Sequence, residues 1–262
     1  MKKSLLVFLA VLGVAGFAFA DSISFTAQGT NPATGSAGLL EANAVFEIVG
    51  SQLTITLTNT GPAAEIPSDV LTGLFFDLAN ANTLTRVSAT LVGDWQVLQT
   101  QGGVLLPFVP PSGYEDLLPD VGTEFAFVGD LSGSDFHGAQ YGVASAGFGY
   151  FAPDDRFDTT KPSNVLYKPA DPDGINFGLA SAISGTAQPG TTKDPVIVGG
   201  SVQFLFNFTG SLSTSDISNV NFQYGTSPSE PNIIVPEPAT VSLLGVGIAG
   251  LSAARYVRRK RA

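Results

Sequence analysis

The chain of 262 residues has no cysteine, one histidine and one tryptophan. Without cysteine it forms no disulfide and offers no thiol nucleophile, Cys-based zinc site or iron–sulfur cluster. A single histidine, His137, excludes His-rich metal centres. It would also have to serve as the base of any Ser-His-Asp triad, yet its neighbours Phe136 and Gly138 form no recognisable motif. No G-x-S-x-G elbow occurs, so the alternative reading of His137 is a loop or surface histidine.

Basic residues are almost absent from the central part. Residues 21–234 contain five Lys and Arg against 21 Asp and Glu, a net charge of −16. Such a surface repels nucleic acid and excludes it as a partner. It favours solubility and attracts divalent cations. The stretch of 214 residues is long enough to bury a core without disulfides.

The two ends differ from the body. Lys2 and Lys3 precede an apolar stretch, Ser4 to Phe17, followed by Ala18-Phe19-Ala20. A basic start, a short apolar run and a small-x-small triplet make a secretory signal peptide, residues 1–20, cut between Ala20 and Asp21. At the other end Val235-Pro236-Glu237-Pro238 leads into a charge-free run, Ala239 to Ala254, and then Arg255, Arg258, Arg259, Lys260 and Arg261. The prolines end the preceding element. Sixteen residues of helix reach about 24 Å, a little short of a hydrocarbon core of about 30 Å. The basic cluster stops translocation and keeps the C-terminus on the cytoplasmic side.

This order of parts resembles a PEP-CTERM sorting signal, the tail processed by bacterial exosortases. Pro236, Glu237 and Pro238 are the sorting triplet and residues 235–262 the signal, with a transmembrane helix over 239–254. The other reading of the tail is a plain single-span anchor. Segments of the body, among them Ser145–Phe151, Asp171–Gly178 and Ser215–Thr226, are similar to segments of exosortase-dependent surface proteins. The resemblance implies an exported β protein of polysaccharide-producing Gram-negative bacteria. Its precursor would sit in the inner membrane, with an exosortase as processing partner. The product would go to the cell surface or the extracellular matrix, with exopolysaccharide as a further partner. It implies no catalytic residues.

The body, residues 21–226, reads as all-β, an antiparallel β-sandwich, with 227–234 as a linker rich in Ser and Pro. Ser22 to Ala27 alternates with period two. Ala42–Val49 and Gln52–Asn59 form a hairpin around Gly50-Ser51. In it Leu53, Ile55 and Leu57 face inward and Thr54, Thr56 and Thr58 outward. Further expected strands are Leu71–Leu78, Thr85–Leu91, Glu124–Val128, Ile175–Ala182, Ser201–Phe208 and Val220–Tyr224. In Ser201–Phe208, Phe204, Phe206 and Phe208 share a face, and 19 Phe in the chain predict a Phe-rich core. Gly102 to Gly122 and Pro153 to Gly174 read as long loops.

Three features invite chemistry. Asp171, Asp173 and Asn176 place oxygen ligands around Gly174, as a calcium loop needs, yet no Glu closes the motif. A Pro-Asp-Gly turn entering a strand accounts for the same letters. Trp95 offers either a sugar-stacking platform or a core side chain. Asp154, Asp155 and Asp158 supply carboxylates for glycoside hydrolysis or simply build a solvated turn. The reading that follows is a non-enzymatic surface or matrix protein with no cofactor. Its rival is a carbohydrate- or calcium-binding module.

Overall fold

The structure, a computed structural model, describes residues 20–79, 83–101, 104–109, 118–160, 175–184 and 195–236. The calls on residues 1–19, Asp171, Asp173, Glu237, Pro238, the helix 239–254 and the basic cluster lie outside the described residues.

The described chain is all-β. Its strands are β1 (Asp21–Thr30), β2 (Leu39–Val49), β3 (Gln52–Asn59), β4 (Leu71–Leu78), β5 (Leu84–Val92), β6 (Gln96–Gln101) and β7 (Val104–Pro107). They continue with β8 (Ala126–Val128), β9 (Tyr141–Ala144), β10 (Gly178–Ala180), β11 (Val196–Val198), β12 (Ser201–Phe208), β13 (Ile217–Tyr224) and β14 (Asn232–Ile234). One sheet runs β1-β2-β3-β12-β5. The other runs β14-β13-β4-β10-β11-β6-β7, with β9 beside β4 and β8 beside β9.

The hairpin of β2 and β3 closes as its sequence dictates. Gly50 adopts φ 61°, which an unbranched backbone accepts without strain, and Val49 pairs with Gln52. Alternation in β3 and β12 sends Leu53, Ile55, Leu57, Phe204 and Phe206 into the core, where each is fully buried. Aromatic side chains join the two sheets. Phe46 meets Phe76 at 5.3 Å between ring centroids, Phe125 meets Phe204 at 5.2 Å, and Phe127 meets Phe206 at 4.8 Å.

Strand β4 is buried on both faces, which explains its run Leu74-Phe75-Phe76. Phe76 enters the shared core. Phe75 points the other way and stacks on Phe136 at 3.7 Å, in a second cluster with Phe148 and Phe151. Residues 136–139 and 146–151 therefore cap the outer face of β4 in the second sheet.

Four expectations need correction. The sheets are not wholly antiparallel, because β10 pairs with β11 in parallel. Part of the expected loop Gly102 to Gly122 is strand β7, paired with β6. The expected strand Ile175–Ala182 shortens to β10, since Phe177 takes φ 53° and breaks the extended run. Most consequentially, residues 227–234 are not a linker: the chain turns at Ser227–Pro231 and returns as β14 against β13. Prolines suit an edge strand and its turn as well as a linker.

Candidate functional site at the body–tail junction

The last described residues join the folded body to the C-terminal tail. Strand β13 ends at Tyr224, and Gly225 turns the chain with φ 73°. A side chain at 225 has no space, because its Cβ would lie 2.4 Å from the Glu230 carboxyl carbon. Glu230 closes the turn: its Oε2 accepts the backbone N–H groups of Thr226 and Ser227. The chain then pairs back with Gln223 opposite Asn232, Phe222 opposite Ile233 and Asn221 opposite Ile234. Beyond the strand, the Val235 N–H still donates to Val220 O at 2.8 Å. Pro236 follows, exposed.

A chain of side-chain amides braces this hairpin from one face. Gln223 Nε2 donates to the carbonyls of Tyr224, Ser227 and Glu230. Asn232 Nδ2 donates to Gln223 Oε1 at 2.9 Å and Asn221 Oδ1 at 3.0 Å. Asn221 Nδ2 reaches Phe136 O, and Asn219 Nδ2 reaches His137 O and the Asp77 carboxylate. The bulged β13 thus ties the outer cap to the last strand.

The tail begins where this hairpin ends. Residues 235–260 match the PEP-CTERM protein-sorting motif. A PEP-CTERM tail marks an exosortase-targeted surface protein: processing by a membrane protein, export, and a membrane-anchored precursor that passes to the surface. No curated protein and no solved structure matches the chain. Among the described residues no helix is long and apolar enough to cross a membrane.

The PEP-CTERM motif starts at Val235, whose N–H makes the last hydrogen bond to the body among the described residues. From Val235 to Ala239 the chain spans at most about 14 Å when fully extended. The folded body therefore stays within that distance of the apolar run. Replacing Glu230 by Ala removes two acceptor contacts in a partly exposed turn and is expected to cost about 0.5–1.5 kcal/mol. Hydrogen exchange should then speed up at the Val235 amide, and an unchanged rate would show that the carboxylate does not hold the hairpin.

The other sequence candidates fall elsewhere. Ala20 and Asp21 are exposed, and Asp21 is the first residue of β1, paired opposite Ile48. Trp95 is half-buried against the main core, its Cβ pressed against Gly200, so its backbone is part of the packing. Asp154 and Asp155 belong to a single turn, with Asp155 Oδ2 accepting the Ala152 N–H. Asp158 Oδ1 accepts both the N–H and hydroxyl of Thr160. The Asp155 and Asp158 carboxylates close local turns. Among the described residues no group of three His, Asp or Glu is arranged to hold a metal.

Asn176 is buried, away from solvent. Its Nδ2 donates to Glu124 Oε2, while its Oδ1 has no hydrogen-bond partner. Glu124 is the residue that the sequence reading passed over. Burial raises its pKa to about 7, partly offset by hydrogen bonds from Thr123 and Asn176 and by the Arg156 charge. Nothing local in Gly122-Thr123-Glu124-Phe125 signals a buried acid, because its partner Asn176 lies 52 residues away.

Proposed function

We propose that this chain is an exported, non-enzymatic structural protein of the bacterial surface, cut by an exosortase at or near Pro236-Glu237-Pro238. Its acidic β body then associates with exopolysaccharide. The observation that carries this reading is the PEP-CTERM motif joined directly to a folded β body. The tail holds the precursor in the inner membrane with the sorting triplet near its outer boundary. The short distance from Val235 to the apolar run presents the triplet between body and membrane. The body needs no cofactor for this role.

Mass spectrometry of the surface form should find Asp21 at the N-terminus and no trace of Arg255 to Ala262. Retention of those residues would make the protein an ordinary anchored one. After cell fractionation the processed form should stay with the exopolysaccharide matrix. For calcium, titration calorimetry of the full chain is expected to show no sub-micromolar site. Such a site, lost on Asp173→Ala, would establish the calcium loop instead.

A further inference from the structure

Strand β14 leads straight into the sorting motif, and the body holds it at three places. Phe222 pairs with Ile233 and Asn221 with Ile234, and the Val235 N–H donates to Val220 O at 2.8 Å. Ile233 is buried and seats over Gly29 of β1, where a Cβ would lie 2.7 Å from its Cγ1. At the turn, the Tyr224 N–H donates to Pro231 O at 3.0 Å, beside the two N–H groups that Glu230 holds.

A protease binds its substrate as an extended chain on both sides of the bond it cuts. About six residues in that form span about 20 Å. The docked chain offers less, since Val235 lies at most about 14 Å from the apolar run. For a cut at or near Pro236-Glu237-Pro238, the residues on the N-terminal side are Ile233, Ile234 and Val235. Their backbone is committed to β13 and the Ile233 side chain to the core. Body and protease therefore compete for the same residues. Release of the hairpin removes both obstacles. The Gly225 N–H, bonded to Val70 O at 2.9 Å, still ties the chain to the body. From Gly225 to Ala239 the freed chain spans up to about 50 Å.

Detaching this strand is a local event. It has three residues and ends its sheet, so among the described residues it leaves without breaking any other strand pair. Such an opening costs less than global unfolding. We propose that β14 is a latch on tail processing: the exosortase cuts the chain only after β14 has left β13. The latch rests on the reading that the tail is cut near the triplet. With opening faster than cutting, the rate follows the open fraction. Glu230 and the amides of Gln223, Asn232 and Asn221 set that fraction.

The chain has no cysteine, so one engineered bridge tests the latch. The bonds from Val235 to Val220 and from Tyr224 to Pro231 mark those as hydrogen-bonded pairs. By alternation Asn221 and Ile234 form a non-hydrogen-bonded pair, with Cα atoms about 4.5 Å apart and within disulfide reach. The full-length chain carrying Asn221→Cys and Ile234→Cys, in detergent, is mixed with membranes of the producing cells. It is added oxidised or reduced, and mass spectrometry reads the loss of Arg255 to Ala262. Both forms lack the Asn221 amide equally, and wild type in both conditions reads the effect of reductant on the protease. The reduced form is expected to be cut and the oxidised form slowed roughly tenfold or more. Glu230→Ala should be cut about two- to tenfold faster than wild type. Equal cutting of the oxidised and reduced forms would overturn the latch. So would unchanged cutting of Glu230→Ala when its Val235 amide exchanges faster. A wild type left uncut, or cut away from the triplet, would overturn the reading of the tail instead.

Discussion

Replacing Phe206 by Ala is expected to lower the stability of the full chain by about 3–5 kcal/mol. Phe206 is fully buried and its ring meets Phe127 at 4.8 Å and Phe157 at 5.3 Å. It stands on a strand paired on both sides, opposite Leu53 in β3 and Arg86 in β5. Neither neighbour strand can move in to fill the space without breaking its own pairing. The lost transfer energy is therefore joined by a cavity term. Edge-to-face ring contacts add to the loss, because a methyl group cannot replace them. Urea unfolding with an unchanged m-value is the measurement. A loss below about 0.5 kcal/mol would mean that the two sheets do not meet through this face.

The second large effect concerns Glu124 and pH. Its pKa rises from an ordinary 4.5 to about 7 in the folded chain, chiefly through burial. Between those values the unfolded chain releases the proton and the folded chain keeps it. Stability contributed by the neutral acid is thus fully present below about pH 4.5 and declines as pH rises to about 7. The full loss is roughly 3 kcal/mol from this group. Glu124→Gln keeps an acceptor for Asn176 Nδ2 but cannot ionise. The variant should lack this decline and be the more stable protein at pH 8. Urea midpoints at pH 4.5 and pH 8 decide it, and an identical decline in both proteins would refute an ionising Glu124 as its source.

Where the physics is local, the sequence was legible. A strand with one face in the core and the other outward carries a period of two, and β3 and β12 show it in Leu53-Thr54-Ile55 and Phe204-Leu205-Phe206. Gly50 announced its hairpin because a tight turn there needs positive φ. The tail was legible for a related reason. A sorting motif is read by membrane and protease as a linear string, so its composition and order are the signal.

Of the three-residue strands, β8 and β10 were expected only as parts of longer runs, and β11 and β14 were not expected as strands. Strands β10 and β11 carry too few residues for a period, and each becomes a strand only because a distant partner supplies its hydrogen bonds. Strand β14 was read as linker because Ser and Pro surround it. The β-branched run Ile233-Ile234-Val235 was the signal available for it.

By itself, then, the sequence determined the all-β class, the Phe-rich core, the acidic body and the sorting motif, since composition, alternation and order express them residue by residue. Only the tertiary structure decided that the tail starts on a sheet edge rather than a linker. The same is true of the Asn176–Glu124 contact and of the Asn221–Phe136 hydrogen bond that ties the outer cap to β13. The last two rest on pairs far apart in the chain, and a linear pattern does not encode the burial or the hydrogen bonds that arise when such pairs meet.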